Sequence, residues 1–159
     1  MITVQEAYDH TDEIRILFTE YTKMLVEADA RFSSYLELQN YDEEYLHPAE
    51  KYRKPEGRLY IVLDEGHPVG CIGFRKLDDA RCEMKRLYVR KEYRGQGIAR
   101  NLVERILKDA QEAGYREMYL DTLPQLQDAL RLYERFAFET TDRYNDSPLD
   151  TTIFMKKAL

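Results

Sequence analysis

Residues 82–114 read CEMKRLYVRKEYRGQGIARNLVERILKDAQEAG, and the pattern changes twice along them. Cys82 to Val89 has the length and β-branched or aromatic content of a strand. The turn Arg94-Gly95-Gln96-Gly97 follows. Beyond it Ile98, Leu102, Val103, Ile106, Leu107 and Ala110 recur at helical spacing, and Gly114 falls where a left-handed C-cap belongs. A strand ending in a glycine-rich turn that opens a helix has a physical logic. Glycines let the backbone approach a ligand closely, and first-turn amides have no intrahelical partner, so they favour an anion. Arg90, Lys91 and Arg94 add full positive charge at the same end. From Arg81 to Arg105 eight Lys/Arg stand against Glu83, Glu92 and Glu104, a local +5 in a chain of net charge −6. The pattern predicts a site for a diphosphate, set against the alternative of a solvated charged face.

Working outward, Leu59–Leu63 and Val69–Phe74 read as an antiparallel hairpin joined by Asp64-Glu65-Gly66-His67-Pro68, with Cys82–Val89 as the next strand after Asp78-Asp79. Glu117–Asp121 reads as a strand. Leu126, Ala129, Leu130, Tyr133 and Phe136 form a further helical stripe, and closing strands are expected near Phe138–Thr140 and Thr151–Met155. Towards the N-terminus, Ile2 and Val4 suggest a short strand. Thr11-Asp12-Glu13 starts a helix carrying Ile14, Leu17, Phe18, Tyr21, Leu25 and Ala28. Arg31–Gly57 shows no sustained period and is expected to be a long functional loop with a short helical piece. The order predicts one α+β domain over residues 1–159, with a mixed, mostly antiparallel twisted sheet flanked by helices.

Composition narrows the function. With 43% apolar and 34% charged residues the chain has a globular balance, and 159 residues suit one core. No apolar stretch approaches a bilayer span and no secretory pattern opens the chain, so a cytoplasmic protein with no membrane partner is expected. The acidic net charge argues against nucleic acid. Cys71 and Cys82 follow neither a metal spacing nor a disulfide framework, and His10, His47 and His67 are scattered, so no metal site is expected.

The Gly-x-Gly turn alone does not choose a fold. A Walker-type loop would need Gly-x-x-x-x-Gly-Lys-Ser/Thr, which is absent, and a dinucleotide fingerprint would need glycine where Arg100 stands. Asp121 could serve a dinucleotide ribose, but three antiparallel strands precede the turn and too little chain follows for a doubly wound sheet.

With Cys82–Val89 as a fourth strand, Arg94-Gly95-Gln96-Gly97-Ile98-Ala99 as a Gln/Arg-x-x-Gly-x-Gly/Ala turn, and Leu132-Tyr133-Glu134-Arg135-Phe136-Ala137-Phe138 as a later signature, the sequence resembles the GNAT superfamily of acyl-CoA-dependent N-acetyltransferases. The resemblance runs in order from about Leu59 to Phe154. It implies acetyl-CoA as donor and an amine as acceptor. Leu87, Tyr88 and Val89 would offer backbone groups to the pantetheine arm, and Arg94, Gly95, Gln96, Gly97, Ile98 and Ala99 would cradle the diphosphate. Homodimers are common in the family, so a homodimer is an expectation. Two positions depart from the pattern: Leu126 stands where many members carry an asparagine, and Ala137 replaces a glycine. A non-catalytic acyl-CoA sensor on the same fold is the alternative function.

Acetyl transfer needs a neutral amine, so a base is expected on one side and a proton donor for the departing thiolate on the other. Glu83, eleven positions before Arg94, is the candidate base, matching a glutamate of the histone-acetylating branch; the alternative is simple pairing with Lys85 or Arg86. A carboxylate near pKa 4.3 needs burial to raise it for that role. Tyr133 is the candidate acid, with a core position as its alternative. The tyrosine-rich loop offers Tyr35 and Tyr41 to the acceptor, and Tyr144 is added on resemblance alone. Leu36–Glu50 carries five acids and no Lys/Arg, which would suit a small cationic amine or a solvated surface.

Overall fold

The computed structural model describes residues 1–159. Strand β1 (Ile2–Glu6) leads into helix α1 (Thr11–Ala28), and three short helices follow: α2 (Phe32–Leu38), α3 (Tyr41–Leu46) and α4 (Pro48–Lys51). Strands β2 (Arg58–Asp64), β3 (His67–Lys76) and β4 (Arg81–Val89) form the meander, then a 3-10 turn (Lys91–Tyr93), α5 (Ile98–Glu112), β5 (Glu117–Thr122), α6 (Gln127–Arg135), β6 (Glu139–Thr140) and β7 (Ile153–Ala158). The seven strands make one sheet in the order β1-β2-β3-β4-β5-β7-β6. Only β4 and β5 pair in parallel. That topology is the expected α+β arrangement and excludes the doubly wound dinucleotide fold.

Strand alternation divides the core into two faces. Tyr60, Val62, Ile72, Phe74, Met84, Met118 and Leu120 pack on one side against α5, through Leu102, Val103 and Ile106. Leu59, Ile61, Leu63 and Cys71 pack on the other against α1, through Ile14, Leu17 and Phe18. A third cluster of Leu25, Phe32, Tyr35, Leu36, Leu123 and Leu149 ties the end of α1 and α2 to the loops after β5 and before β7. No helix is long and apolar enough to cross a membrane.

The expected loop over Arg31–Gly57 is largely helical instead. Helices of four to seven residues are too short to stand alone and are held by packing rather than by propensity. Asn40, at φ 57°, turns the chain between α2 and α3, and Pro48 opens α4. The buried residue of α3 is Glu44, so its inward face carries a charge where an apolar period would have revealed a helix.

Candidate active site

Two local irregularities in the sheet open a cleft. Gly73 pairs with Lys85, and Cys71 with Tyr88, so β4 spends three steps where β3 spends two. The extra residue is a bulge at Arg86–Leu87, and Arg86 takes φ 62° there. On the other edge, β4 and β5 pair only from Arg81–Glu117 to Glu83–Tyr119 and then part. The gap widens into a cleft of about 1010 Å³ that runs from the splay to the start of α5. Its walls are Met84–Val89 of β4, Leu120–Leu123, α6 through Ala129, Leu132, Tyr133 and Phe136, and α1–α2 through Met24, Leu25, Phe32 and Tyr35.

At the α5 end the turn has the geometry of an anion cradle. Gly95 and Gly97 both take φ +80°, which L side chains rarely adopt, and a Cβ at either would point into open space. None of Gly95, Gln96 and Gly97 donates its amide to a backbone carbonyl, and the first bond of α5 runs from Asn101 N–H to Gly97 O at 3.0 Å. The amides of Ile98, Ala99 and Arg100 are therefore the helix's unpaired first-turn donors. Arg94 lies exposed beside them with Nε bonded to Val89 O at 2.9 Å, and no carboxylate pairs with it. Arg90, by contrast, is taken up by Glu20 at 2.6 and 2.9 Å. Leu87, Tyr88, Val89, Arg94, Gly95, Gly97, Ile98 and Ala99 all line the cleft; Gln96 does not. A diphosphate bearing a linear thiol arm fits these residues.

At the splay, two ionic networks lie behind the cleft wall. Glu44, with a side chain 1% exposed, receives Arg86 Nε at 2.7 Å and Nη2 at 2.9 Å, Lys51 Nζ at 2.7 Å and the Tyr52 hydroxyl at 2.9 Å. Gln39 Oε1 accepts Arg86 Nη2 at 2.8 Å. Burial pushes the Glu44 carboxyl up, but Arg86 and Lys51 outweigh it and hold the group well below the usual range. The second network centres on Glu83, which accepts Arg75 Nε at 2.9 Å and the Tyr144 hydroxyl at 2.5 Å.

Glu83 therefore corrects one expectation. It is 2% exposed, does not line the cleft, and has both oxygens engaged. Burial raises its pKa, but Lys85, Arg75 and the Tyr144 hydroxyl more than reverse that, so it sits below its ordinary value. Its basic partners are Arg75 and Lys85, while Arg86 belongs to Glu44.

Tyr133 is at once a core residue and a cleft residue, and burial pushes its phenol far above the usual range, where an ordinary value was expected. It holds its proton firmly. Tyr35 lines the cleft and donates to Asp121; Tyr41 packs under the Arg86 guanidinium, 5.5 Å from its ring, outside the cleft; Tyr144 stands behind it on Glu83. In the acidic stretch Glu37, Asp42, Glu43 and Glu50 are exposed and Glu44 is neutralised, so none faces the cleft. Cys82 is a buried core thiol, its pKa raised to about 12 by burial.

Lys85 and Asp121 line the cleft at the splay; the sequence offered Lys85 only as a pairing partner of Glu83 and Asp121 only to a dinucleotide ribose. The signal was the alternation Glu83-x-Lys85 on β4 matched by Tyr119-x-Asp121 on β5, legible only once the two strands are known to be neighbours.

A family model described as the acetyltransferase (GNAT) family matches residues 17–138. An uncharacterized N-acetyltransferase of Schizosaccharomyces pombe is 37% identical over 147 residues, covering 91% of this chain and 86% of that protein. The fold is similar to that of an acetyltransferase from Streptococcus agalactiae, with TM-score 0.78 and 20% identity over 99% of this chain and 98% of that one. It is also similar to the PaiA N-acetyltransferase of Thermoplasma acidophilum in complex with coenzyme A, with TM-score 0.77 and 16% identity over 100% of this chain and 99% of that one.

Proposed function

The chain belongs to the acetyltransferase (GNAT) family and is an acyltransferase, and from that premise we propose that residues 1–159 act as one catalytic domain that moves the acetyl group of acetyl-CoA directly to a primary amine. The observation that carries this is the continuity of a single cleft from the free amides of the Gly95–Arg100 turn, past Tyr133, to the splay of β4 and β5. The coenzyme A complex of the Thermoplasma relative supports the donor assignment.

Acetyl-CoA supplies an activated acyl group: the amine nitrogen forms the new C–N bond, the C–S bond breaks, the nitrogen gives up a proton and coenzyme A leaves as its thiol. The turn amides and Arg94 hold the donor's phosphates, the bulge takes Leu87 out of the ladder with β3, and the splay leaves β4 beyond Glu83 unpaired with β5 along the cleft. Tyr133, kept protonated by burial, donates a hydrogen bond where negative charge gathers on sulfur. Glu83 acts at one remove, setting Lys85 and Tyr144 in place. With its pKa held down, it does not strip the amine of its proton; the acceptor reacts from the fraction already neutral in solution.

The test is a thermal-shift titration with acetyl-CoA and NADH in parallel, followed by coenzyme A release with a panel of amines. Donor at a hundred times its Kd should add about 2.7 kcal/mol, a rise of roughly 5–10 °C for a domain of this size. A shift with NADH and none with acetyl-CoA would overturn the donor assignment. Tight acetyl-CoA binding with no release across the panel would leave the non-catalytic sensor.

A further inference from the structure

Where β4 and β5 part, the chain sets a cation on one strand and an anion on the other. Glu83 and Tyr119 are the last paired residues, so Lys85 and Asp121, two steps further along each strand, lie on the Glu83 side of the sheet, one on each strand beyond the splay. Adjacent side chains of one loop hold the two strands' carboxylates: Tyr144 bonds Glu83, and Asn145 bonds Asp121 Oδ2 at 2.7 Å. Both charges line the cleft.

Neither is satisfied by the protein. The Lys85 side chain is only 5% exposed, its ammonium makes no hydrogen bond, and its nearest counter-charge is Glu83 Oε1 at 3.8 Å, an oxygen already bonded to Arg75 at 2.9 Å. Asp121 gives Oδ2 to Tyr35 and Asn145 and leaves Oδ1 without a partner. The Lys85 ammonium keeps its hydrogen-bonding capacity free, with only the 3.8 Å ion pair to Glu83, and a ligand carboxylate would offer it charge-assisted bonds. Asp121 Oδ1 calls for a cationic or amine donor. Leu25 and Phe32 close the same end with apolar surface.

We propose that the acceptor is an amino acid of the α-amino-carboxylate class: its carboxylate rests on Lys85, its amine on Asp121, and its apolar side chain against Leu25 and Phe32. This rests on the acetyltransferase function proposed above. A polyamine would place a second cation against Lys85, and a protein lysine side chain carries no carboxylate near its amine.

The experiment compares matched acceptors at saturating acetyl-CoA, following coenzyme A release: an apolar amino acid such as leucine or phenylalanine, the corresponding amino-acid amide, and spermidine. With each kcat/KM divided by the neutral fraction of that amine, because an amino-acid amide's amine is less basic, the free acid should exceed its amide by about tenfold or more, the size of one lost charge-assisted bond. Lys85→Met, which keeps the length and removes the charge, should collapse that preference towards unity. Amide or spermidine turned over as well as the acid would overturn the proposal and leave the acetyltransferase function standing. No release with any amine, despite acetyl-CoA binding, would defeat both. The wild-type comparison needs no variant, so a poorly folded Lys85→Met leaves the acid-to-amide ratio to decide.

Discussion

Ala137 takes φ 66°, a left-handed conformation that costs an L residue about 1–2 kcal/mol. The family pattern places glycine there, and the backbone turns as a glycine would although the side chain is alanine. Ala137→Gly should therefore stabilise the protein by about 1 kcal/mol, raising Tm by roughly 2–4 °C. An unchanged or lower Tm would show that the turn carries no strain. Glu83 yields a second expectation. With its pKa below the usual carboxylate range, its ionisation is complete well below neutral pH and contributes nothing to the rise of rate between pH 6 and 9. The ascending limb of kcat/KM should follow the acceptor amine's own pKa. Glu83→Gln should lower the profile without moving that limb, because Arg75 and Lys85 lose their counter-charge. A limb displaced by the substitution would restore Glu83 as the base.

Strand β4 combines roles that pull against one another. It must pair with β3 for the core to close, yet open its backbone at Leu87 for a ligand. The bulge resolves the conflict by adding one residue, and Arg86 bears the backbone cost at φ 62°. Glu44, reaching from α3, pins that residue with two bonds to its guanidinium. The short helices α2–α4 are thus more than a cover, since they supply the anion that fixes the bulge. Glu44→Gln leaves Arg86 buried with its charge uncompensated and should destabilise the fold by about 3–5 kcal/mol, measured by denaturant unfolding. A loss under 1 kcal/mol would mean that Gln39 and Tyr41 suffice to hold Arg86.

Across the domain, the two buried carboxylates tie stability to pH. Glu44 and Glu83 both have folded pKa values below the ordinary range, which lies near 4.3 for a free glutamate. Their contribution is fully present above that value and is lost as pH falls through the lower folded values. Unfolding free energy should be flat in this respect from about pH 6 to 8 and fall steeply below about pH 4. Glu44→Gln, though less stable at neutral pH, should show a shallower acid slope. An equal slope in both proteins would place the acid sensitivity elsewhere. The charge layout is equally asymmetric: an acidic chain of net charge −6 keeps an unpaired Arg94 and the free amides of one helix start at one end of a single cleft.

Residues 82–114 were enough to indicate β4, α5 and the glycine turn, because strand alternation, helical spacing and a glycine turn are local properties written in consecutive residues. The resemblance they carry also led to the proposed donor side of the site, where the ligand would be held largely by backbone. The proposed acceptor side was not legible. Lys85 and Asp121 lie 36 positions apart and line one cleft only because β4 and β5 pair briefly and then diverge. Glu44 and Arg86, 42 positions apart, read as surface charges until burial joins them. Of the groups that lower the Glu83 pKa, Lys85 stood two residues away in the sequence, but Arg75 from β3 and Tyr144 from the loop before β7 are partners no spacing along the chain could name. Local periodicity settles which elements form; the balance between desolvation and charge is settled by neighbours that the tertiary fold alone brings together.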